Sequence, residues 1–187
     1  MPSEPRKLRR RSIRLKDYDY AQAGAYFVTI CTQGRRCLFG DVAQGDMRLN
    51  DAGRMVTRWW EEVSARFSSV QSDLYAVMPN HFHGIVMMVG ADPRVRPDDG
   101  GAHAGAPLPR TPLSHIVRWF KTMTTNEYIQ QVKVAGWPAF PARLWQRNYY
   151  EHVIRNSQDL NDIRRYIAEN PRRWETDSEN PEANEGR

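Results

Sequence analysis

The order in which strand and helix patterns follow one another constrains the fold of this chain more than any other sequence feature. Strand patterns are short runs rich in β-branched and aromatic residues, and helix patterns place apolar residues three or four positions apart. In chain order, the patterns occur at residues 26–32 (strand), 56–67 (helix), 74–78 (strand), 81–89 (strand), 113–128 (helix), 144–154 (strand) and 157–170 (helix). The first six predict an α+β, ferredoxin-like or RRM-like βαββαβ sandwich, with helices packed on an antiparallel sheet. The seventh predicts an additional C-terminal helix.

Length and composition exclude several classes of protein. A chain of 187 residues is expected to fold as one domain and needs no disulfide bonds to hold a core. No apolar run approaches the roughly 18 residues of a membrane span, and no apolar segment follows the basic N-terminus as in a secretory signal. Cys31 and Cys37 are the only cysteines, which excludes a four-cysteine zinc site and fits a reducing compartment. We therefore expect a cytoplasmic protein without a membrane partner.

Charge divides the chain into an arm, a domain and a tail. Residues 1–16 carry seven basic side chains against one acidic one, and residues 175–187 carry five acidic side chains against one basic one. A compact basic arm often meets a polyanion, although a solvated tail has the same composition. The acidic segment 175–187 is predicted to be disordered. Residues 17–174 form the predicted domain, with a long loop at 90–112 that contains four Gly and five Pro.

Two histidines lie on one face of the predicted strand 81–89. Side chains alternate across a strand, so His81 and His83 point to one side and Phe82 points to the other. Two imidazoles at this spacing can share one metal ion, although such pairs are also common as ordinary packing or surface residues. His103, His115 and His152 do not form a second pair of this kind.

The last predicted helix carries two polar residues beside its apolar stripe. Tyr166 and Asn170 are one helical turn apart, so they are neighbours on the flank of the stripe. The stripe consists of Leu160, Ile163 and Ile167. Next to two histidines, a phenol and a carboxamide could form a metal-assisted nucleophile site. Both residues could also have purely structural roles. Asn170, for example, precedes Pro171, and Asn before Pro is a common end of a helix.

Three motifs together resemble the HUH-type, single-tyrosine transposases that act on single-stranded DNA. They are M-P-N-H-F-H-G-I-V at residues 78–86, L-W-Q-R-N-Y-Y-E-H-V-I-R-N at 144–156 and Y-I-A-E-N-P at 166–171. Within that group the chain is most similar to the REP-associated tyrosine transposases. The resemblance runs from about Arg10 to Trp174, which is most of the chain.

The resemblance implies a role for each motif residue. His81 and His83 match the metal-binding histidines, and Asn170 stands where the family has its third metal ligand. Tyr166 matches the nucleophile, so the additional helix would carry it. The implied activity is DNA strand cleavage and rejoining through a 5′-phosphotyrosine, with Mg²⁺ or Mn²⁺ as the cofactor. Tyr149 and Tyr150 are rival nucleophiles by residue type and rank below Tyr166.

The resemblance also implies a DNA partner. The expected substrate is a single-stranded DNA hairpin of the REP-like palindromic type, and the enzyme would work near the nucleoid as a monomer or homodimer. Basic side chains are the candidate DNA contacts, since they can neutralise phosphates. The candidates are Arg9, Arg10, Arg11, Arg14, Lys16 and Arg147.

Two other functions remain open from the sequence. The first is a hairpin-binding module that keeps the motifs but no longer turns over. The second is a metal-dependent phosphoesterase that uses water as its nucleophile. A covalent protein–DNA adduct distinguishes the transposase chemistry from both alternatives.

Overall fold

The structure is a computed structural model that describes residues 22–89 and 111–184. The expectations for the basic arm, including Arg9, Arg10, Arg11, Arg14 and Lys16, and for residues 90–110 of the long loop lie outside these residues. The helices and strands are β1 (Gly24–Cys31), β2 (Gly40–Ala43), β3 (Asp46–Leu49), α1 (Asp51–Arg66), β4 (Val70–Val77), β5 (His81–Met88), α2 (Leu113–Val134), β6 (Tyr150–Ile154), α3 (Ser157–Glu169) and α4 (Pro181–Asn184). Short 3₁₀ turns occupy Gln33–Arg35 and Pro171–Thr176.

The main sheet has four antiparallel strands in the order β4-β5-β1-β6. Because β5 lies between β4 and β1, and β1 lies between β5 and β6, the two βαβ units interlock as in a ferredoxin-like fold. The predicted fold class is therefore confirmed. A small hairpin of β2 and β3, which the sequence analysis did not predict, is inserted between β1 and α1. In the part of the chain that the structure describes, no helix is long and apolar enough to cross a membrane.

Helices α1 and α2 cover one face of the sheet and build the larger core. Phe82 on β5 is fully buried, with its ring 4.6 Å from that of Trp60 on α1 and 5.1 Å from that of Phe120 on α2. Aromatic pairs at these distances add to the free energy of simple apolar burial. Phe82 therefore anchors the strand that carries the histidine pair.

Gly84 keeps room for this aromatic cluster. A Cβ atom at residue 84 would lie 2.6 Å from Trp60 Cζ2 and 2.7 Å from Phe82 Cε1. We expect Gly84→Ala to lower the free energy of unfolding by about 1–3 kcal/mol, measured by urea denaturation, because over-packing strains a dense core. The loss should be smaller in a Trp60→Phe background, where the ring is shorter. An equal loss in both backgrounds would show that Trp60 is not the cause.

Helix α3 covers the opposite face of the sheet. It buries Ile167 against Phe27, Ile85 and Ile154, which form a second, smaller core. The N-cap of α3 is Asn156, whose side-chain oxygen accepts a hydrogen bond from the Asp159 amide at 2.9 Å. The histidine pair lies on this face, so α3 is positioned to supply residues to it.

The segment 144–154 is a strand only over its second half. Strand β6 covers Tyr150–Ile154, and the prediction of a strand from residue 144 is wrong for 144–149. Leu144 and Trp145 are buried by side-chain packing, and Trp145 Nε1 donates to Thr124 Oγ1 at 2.8 Å. An isolated bridge joins Trp145 to Thr32, the residue that follows β1. The apolar pattern of this segment comes from core packing by an irregular loop and not from strand periodicity.

The acidic segment is partly ordered, unlike the disordered tail that its composition predicts. Over residues 175–184 the chain forms the end of a 3₁₀ turn and helix α4. Asn180 is buried and donates to the Trp174 carbonyl at 3.0 Å. The Glu179 carbonyl accepts a hydrogen bond from Asn80 Nδ2 at 2.7 Å. One of these contacts is local and the other joins residues 99 positions apart, and local composition does not reveal the second.

Candidate active site

The register of β1 and β5 sets the position of the two histidines. His81 lies opposite Cys31, and His83 lies opposite Thr29, at the end of the sheet where β5 begins. Both imidazoles are buried, and their Nε2 atoms are 3.0 Å apart. As the alternation of strand side chains predicted, the two rings share one face, and Phe82 points to the other.

Hydrogen bonds orient the His81 ring. Asn80 Nδ2 donates to the Arg35 carbonyl at 3.0 Å and to the Glu179 carbonyl at 2.7 Å, so Asn80 Oδ1 must be the atom 2.9 Å from His81 Nδ1. An amide oxygen only accepts, and therefore Nδ1 of His81 carries the proton. The lone pair of His81 Nε2 then points towards His83.

The Thr29 hydroxyl is compatible with either tautomer of neutral His83. Its hydroxyl lies 2.8 Å from His83 Nδ1 and can donate to or accept from that atom. Without a cation, His83 Nε2–H can donate to His81 Nε2. When His83 Nδ1–H donates to Thr29 instead, the lone pairs of both Nε2 atoms converge. Two converging lone pairs at 3.0 Å match neighbouring ligands of one ion, because bonds of about 2.1 Å at a right angle span about that distance.

Burial keeps both imidazoles neutral. Burial lowers the pKa of His81, although the carboxylates of Asp177 and Glu179 and the Asn170 side chain act in the opposite direction. The pKa of His83 is held well below its usual value by burial and then by the neighbouring His81. A neutral imidazole is the form that binds a metal ion.

Tyr166 reaches the histidine pair from α3. Its hydroxyl oxygen is 3.5 Å from His83 Nε2, and its ring contacts that of Phe27 edge-on at 6.0 Å. The residue is 38% exposed, so it lies at the edge of the buried cluster. Burial and then the Asp177 carboxylate raise the pKa of Tyr166, and the Asn170 side chain lowers it. The phenol is therefore protonated at neutral pH and needs activation to attack.

Asn170 brings an unpartnered oxygen to the same place. The residue is 1% exposed, and its Oδ1 atom is buried with no hydrogen-bond partner among the described residues. A buried amide oxygen without a partner costs free energy, which a bound cation would offset. Two neutral imidazoles and this oxygen therefore fit a divalent cation. Among residues 22–89 and 111–184, no group of three His, Cys, Asp or Glu side chains is placed to hold a metal ion.

The acidic segment adds residues that the sequence analysis did not place at the site. Asp177 Oδ2 lies 4.0 Å from His81 Nε2, and the Glu179 carboxylate pairs with Arg35 at 3.0 Å and accepts from Cys31 Sγ at 3.4 Å. Burial and then Glu179 raise the pKa of the Cys31 thiol to about 12, which keeps it protonated. No local sequence signal indicates these contacts, because Asp177 and Glu179 look like part of a solvated tail.

The rival tyrosines occupy different places. Tyr150 is on the site face of β6, opposite Thr29, and its ring is 6.3 Å from that of Phe27. Tyr149 lies outside this group, where Lys121 Nζ is 5.5 Å from the centre of its ring. Arg147 also lies away from the histidine pair, in a cleft beside α2. The structure thus brings together four of the predicted site residues, which are His81, His83, Tyr166 and Asn170.

Comparison with known proteins places the chain in a family. No family model matches it. It is 37% identical over 173 residues to an uncharacterized protein of Haemophilus influenzae, a match that covers 90% of this chain and 91% of the relative. The chain belongs to the family of that protein. It also has the fold of a solved REP-associated tyrosine transposase bound to a REP hairpin, at a TM-score of 0.52 and 21% identity over 84% of this chain and 72% of that one. The expected resemblance to REP-associated tyrosine transposases is therefore confirmed at the level of the fold.

Proposed function

We propose that this protein is a metal-dependent single-stranded DNA endonuclease and strand transferase that acts at or near hairpins of palindromic repeats. The observation that carries the proposal is the convergence of two neutral imidazoles, a buried unpartnered amide oxygen and a half-exposed phenol at one end of the sheet. A similar fold bound to a REP hairpin supports DNA as the partner.

Each part of the proposed reaction is assigned to particular side chains. A divalent cation, Mg²⁺ or Mn²⁺, held by His81, His83 and Asn170 would polarise the scissile phosphate and stabilise the charge that develops on it. The Tyr166 oxygen attacks phosphorus, the bond from phosphorus to the 3′ oxygen breaks, and a 5′-phosphotyrosine forms. The phenol loses one proton, and the leaving 3′ oxygen gains one. Attack by a 3′-hydroxyl on the phosphotyrosine reverses the step and rejoins the strands.

Neighbouring groups orient these residues. Asn80 hydrogen-bonds to Nδ1 of His81, and Thr29 hydrogen-bonds to Nδ1 of His83. The Nε2 atoms of both histidines are then turned towards one point. Phe27 packs against both the His83 ring and the Tyr166 ring, at centre-to-centre distances of 5.4 and 6.0 Å. The phenol is thus fixed relative to the histidines before DNA binds, which reduces the entropy cost of reaching the reactive geometry.

The test is a covalent-adduct gel. Labelled single-stranded DNA containing the palindromic repeat nearest the gene is incubated with the protein and Mn²⁺ or Mg²⁺, then run under denaturing conditions. We expect a slow-migrating adduct that chelation with EDTA abolishes, because the cation stabilises the transition state. A perfectly paired duplex of the same sequence is the matched control and should give no adduct. Cleavage without an adduct would assign the attack to water, and tight binding without cleavage would favour a binding module.

A further inference from the structure

A second concave surface lies beside α2, away from the histidine pair. We call it the α2 cleft: it is bounded by α2 residues from Ser114 to Asn126 and by the loop 142–149. Its volume is about 720 Å³, within the range of about 300–1,000 Å³ that is typical of ligand sites. The cleft is therefore large enough to take a ligand of the size of a nucleotide.

The α2 cleft is strongly basic. Arg118, Lys121, Arg143 and Arg147 line it, and its lining includes no acidic residue. Across residues 22–89 and 111–184, the ion pairs found leave these three arginines without a carboxylate partner. Elsewhere on the chain, exposed arginines such as Arg58 and Arg164 do pair with acidic side chains. The positive charge of the cleft is therefore available to an anion.

Lys121 connects the two walls of the cleft. Its Nζ atom donates to the carbonyls of Gln146 and Asn148 at 3.0 and 3.2 Å, so its partners are dipoles that leave its charge uncompensated. Burial lowers the pKa of Lys121 to about 8. A phosphate nearby would favour the charged form and offset this cost.

An aromatic ring lies among these cations. Tyr149 lines the cleft, and Lys121 lies over its face. Arginines beside an aromatic face are the usual means of gripping an unpaired nucleic-acid strand, with phosphates on the cations and a base on the ring. A base held in a duplex must first be unpaired and unstacked to reach such a ring, which costs roughly a few kcal/mol, whereas an unpaired base does not. The combination thus favours an unpaired strand over a helix.

The cleft is tied to the end of the sheet that carries the histidines. The Gln146 amide donates to the Cys31 carbonyl at 2.9 Å, and Cys31 is the strand partner of His81. Gln146 Nε2 also donates to the Thr32 carbonyl at 3.2 Å. The loop that bounds the cleft therefore contacts the same end of the main sheet as the histidine pair.

We propose that the α2 cleft binds an unpaired nucleotide of single-stranded DNA, with a phosphate on its arginines and a base against Tyr149. The proposal rests on the proposed function for the identity of the ligand. It adds a binding site at a distance from the reacting groups, which would position the strand rather than take part in cleavage.

The test measures binding without chemistry. Fluorescence anisotropy with labelled oligothymidylate, which has no hairpin, compares the wild type with an Arg118→Ala, Arg147→Ala double variant. We expect the double variant to bind at least about 10-fold more weakly. The slope of log binding constant against log salt concentration should be shallower by about 1.4, because each phosphate contact on a single strand contributes about 0.7 to that slope. The matched control is Lys133→Ala, which removes one exposed charge from the other end of α2 and should bind as the wild type does.

The aromatic contribution is tested separately. Tyr149→Phe keeps the ring and should retain binding, whereas Tyr149→Leu keeps apolar bulk without the ring and should bind about 5-fold more weakly or worse. Thermal melting of both variants checks that the fold is intact, because Tyr149 packs against the main core. Equal binding by the leucine variant, the double variant and the wild type would overturn the proposal.

Three further outcomes distinguish this proposal from recognition of charge alone and from the proposed function. If polyglutamate displaces oligothymidylate as well as unlabelled oligothymidylate does, the cleft recognises charge alone and the nucleotide assignment is wrong. If the double variant loses oligothymidylate binding while the wild type forms no adduct, the cleft stands and the proposed chemistry fails. If the wild type forms the Tyr166 adduct and the double variant binds DNA normally, the proposed chemistry stands and the proposal for the cleft fails.

Discussion

A Tyr166→Phe variant is expected to form no protein–DNA adduct and to cleave no strand, under conditions in which the wild type does both. The substitution removes the single atom that we propose attacks phosphorus, so the loss should exceed any change in binding. The measurement is the adduct gel with the repeat hairpin and Mn²⁺. DNA affinity, measured by anisotropy, should stay close to that of the wild type, because phenylalanine keeps the ring that packs against Phe27.

Tyr150→Phe is the matched control for this experiment. Tyr150 is on the same face of the sheet as the histidines and is 47% exposed, so it is the tyrosine best placed to attack in error. We expect its phenylalanine variant to form the adduct. An adduct that persists in Tyr166→Phe and disappears in Tyr150→Phe would overturn the assignment of the nucleophile but leave the chemistry in place.

A His83→Ala variant is expected to lose Mn²⁺ binding and adduct formation by about 100-fold or more. The substitution removes one of two imidazoles whose Nε2 atoms lie 3.0 Å apart, and altering even the groups that support a metal ligand costs roughly 10–100-fold. Titration of free Mn²⁺ by electron paramagnetic resonance measures the binding. The control is His152→Ala, since His152 lies on β6, which β1 separates from β5, and pairs with Asp159 at 3.0 Å outside the cluster. Equal losses in both variants would contradict the site.

Asn170→Leu gives the same site a second readout that does not require activity. Its buried Oδ1 has no hydrogen-bond partner among the described residues, so without metal the leucine variant should be as stable as the wild type or more stable by about 1 kcal/mol. Added Mn²⁺ should raise the melting temperature of the wild type, because a ligand that binds the folded state stabilises it. It should raise that of Asn170→Leu much less. An undiminished shift would remove Asn170 from the ligand set.

The sequence was most informative where a local pattern determines which way a side chain points. Period-two alternation put His81 and His83 on one face and Phe82 on the other, and helical spacing put Tyr166 beside Asn170. The order of strand and helix patterns was enough to predict the topology of the main sheet, which the register confirms. It gave no indication of the β2–β3 hairpin, whose four-residue strands are too short to show a clear alternation.

The errors arise where long-range packing overrides local composition. The loop 144–149 has the apolar character of a strand because Leu144 and Trp145 fill the core. Residues 175–184 look like a solvated tail because their anchors, Asn80 and Arg35, are far away in the sequence.

By itself, then, the sequence determined the fold class, the shared face of the two histidines and the pairing of a tyrosine with an asparagine on the last helix. These follow from the short-range geometry of strands and helices, which repeats every two or about 3.6 residues. The tertiary structure alone decided that Asn80 and Thr29 orient the rings, that Asn170 has a buried unpartnered oxygen, and that four scattered cations line one cleft. Those properties depend on atoms brought together from distant segments, and local periodicity carries no information about them.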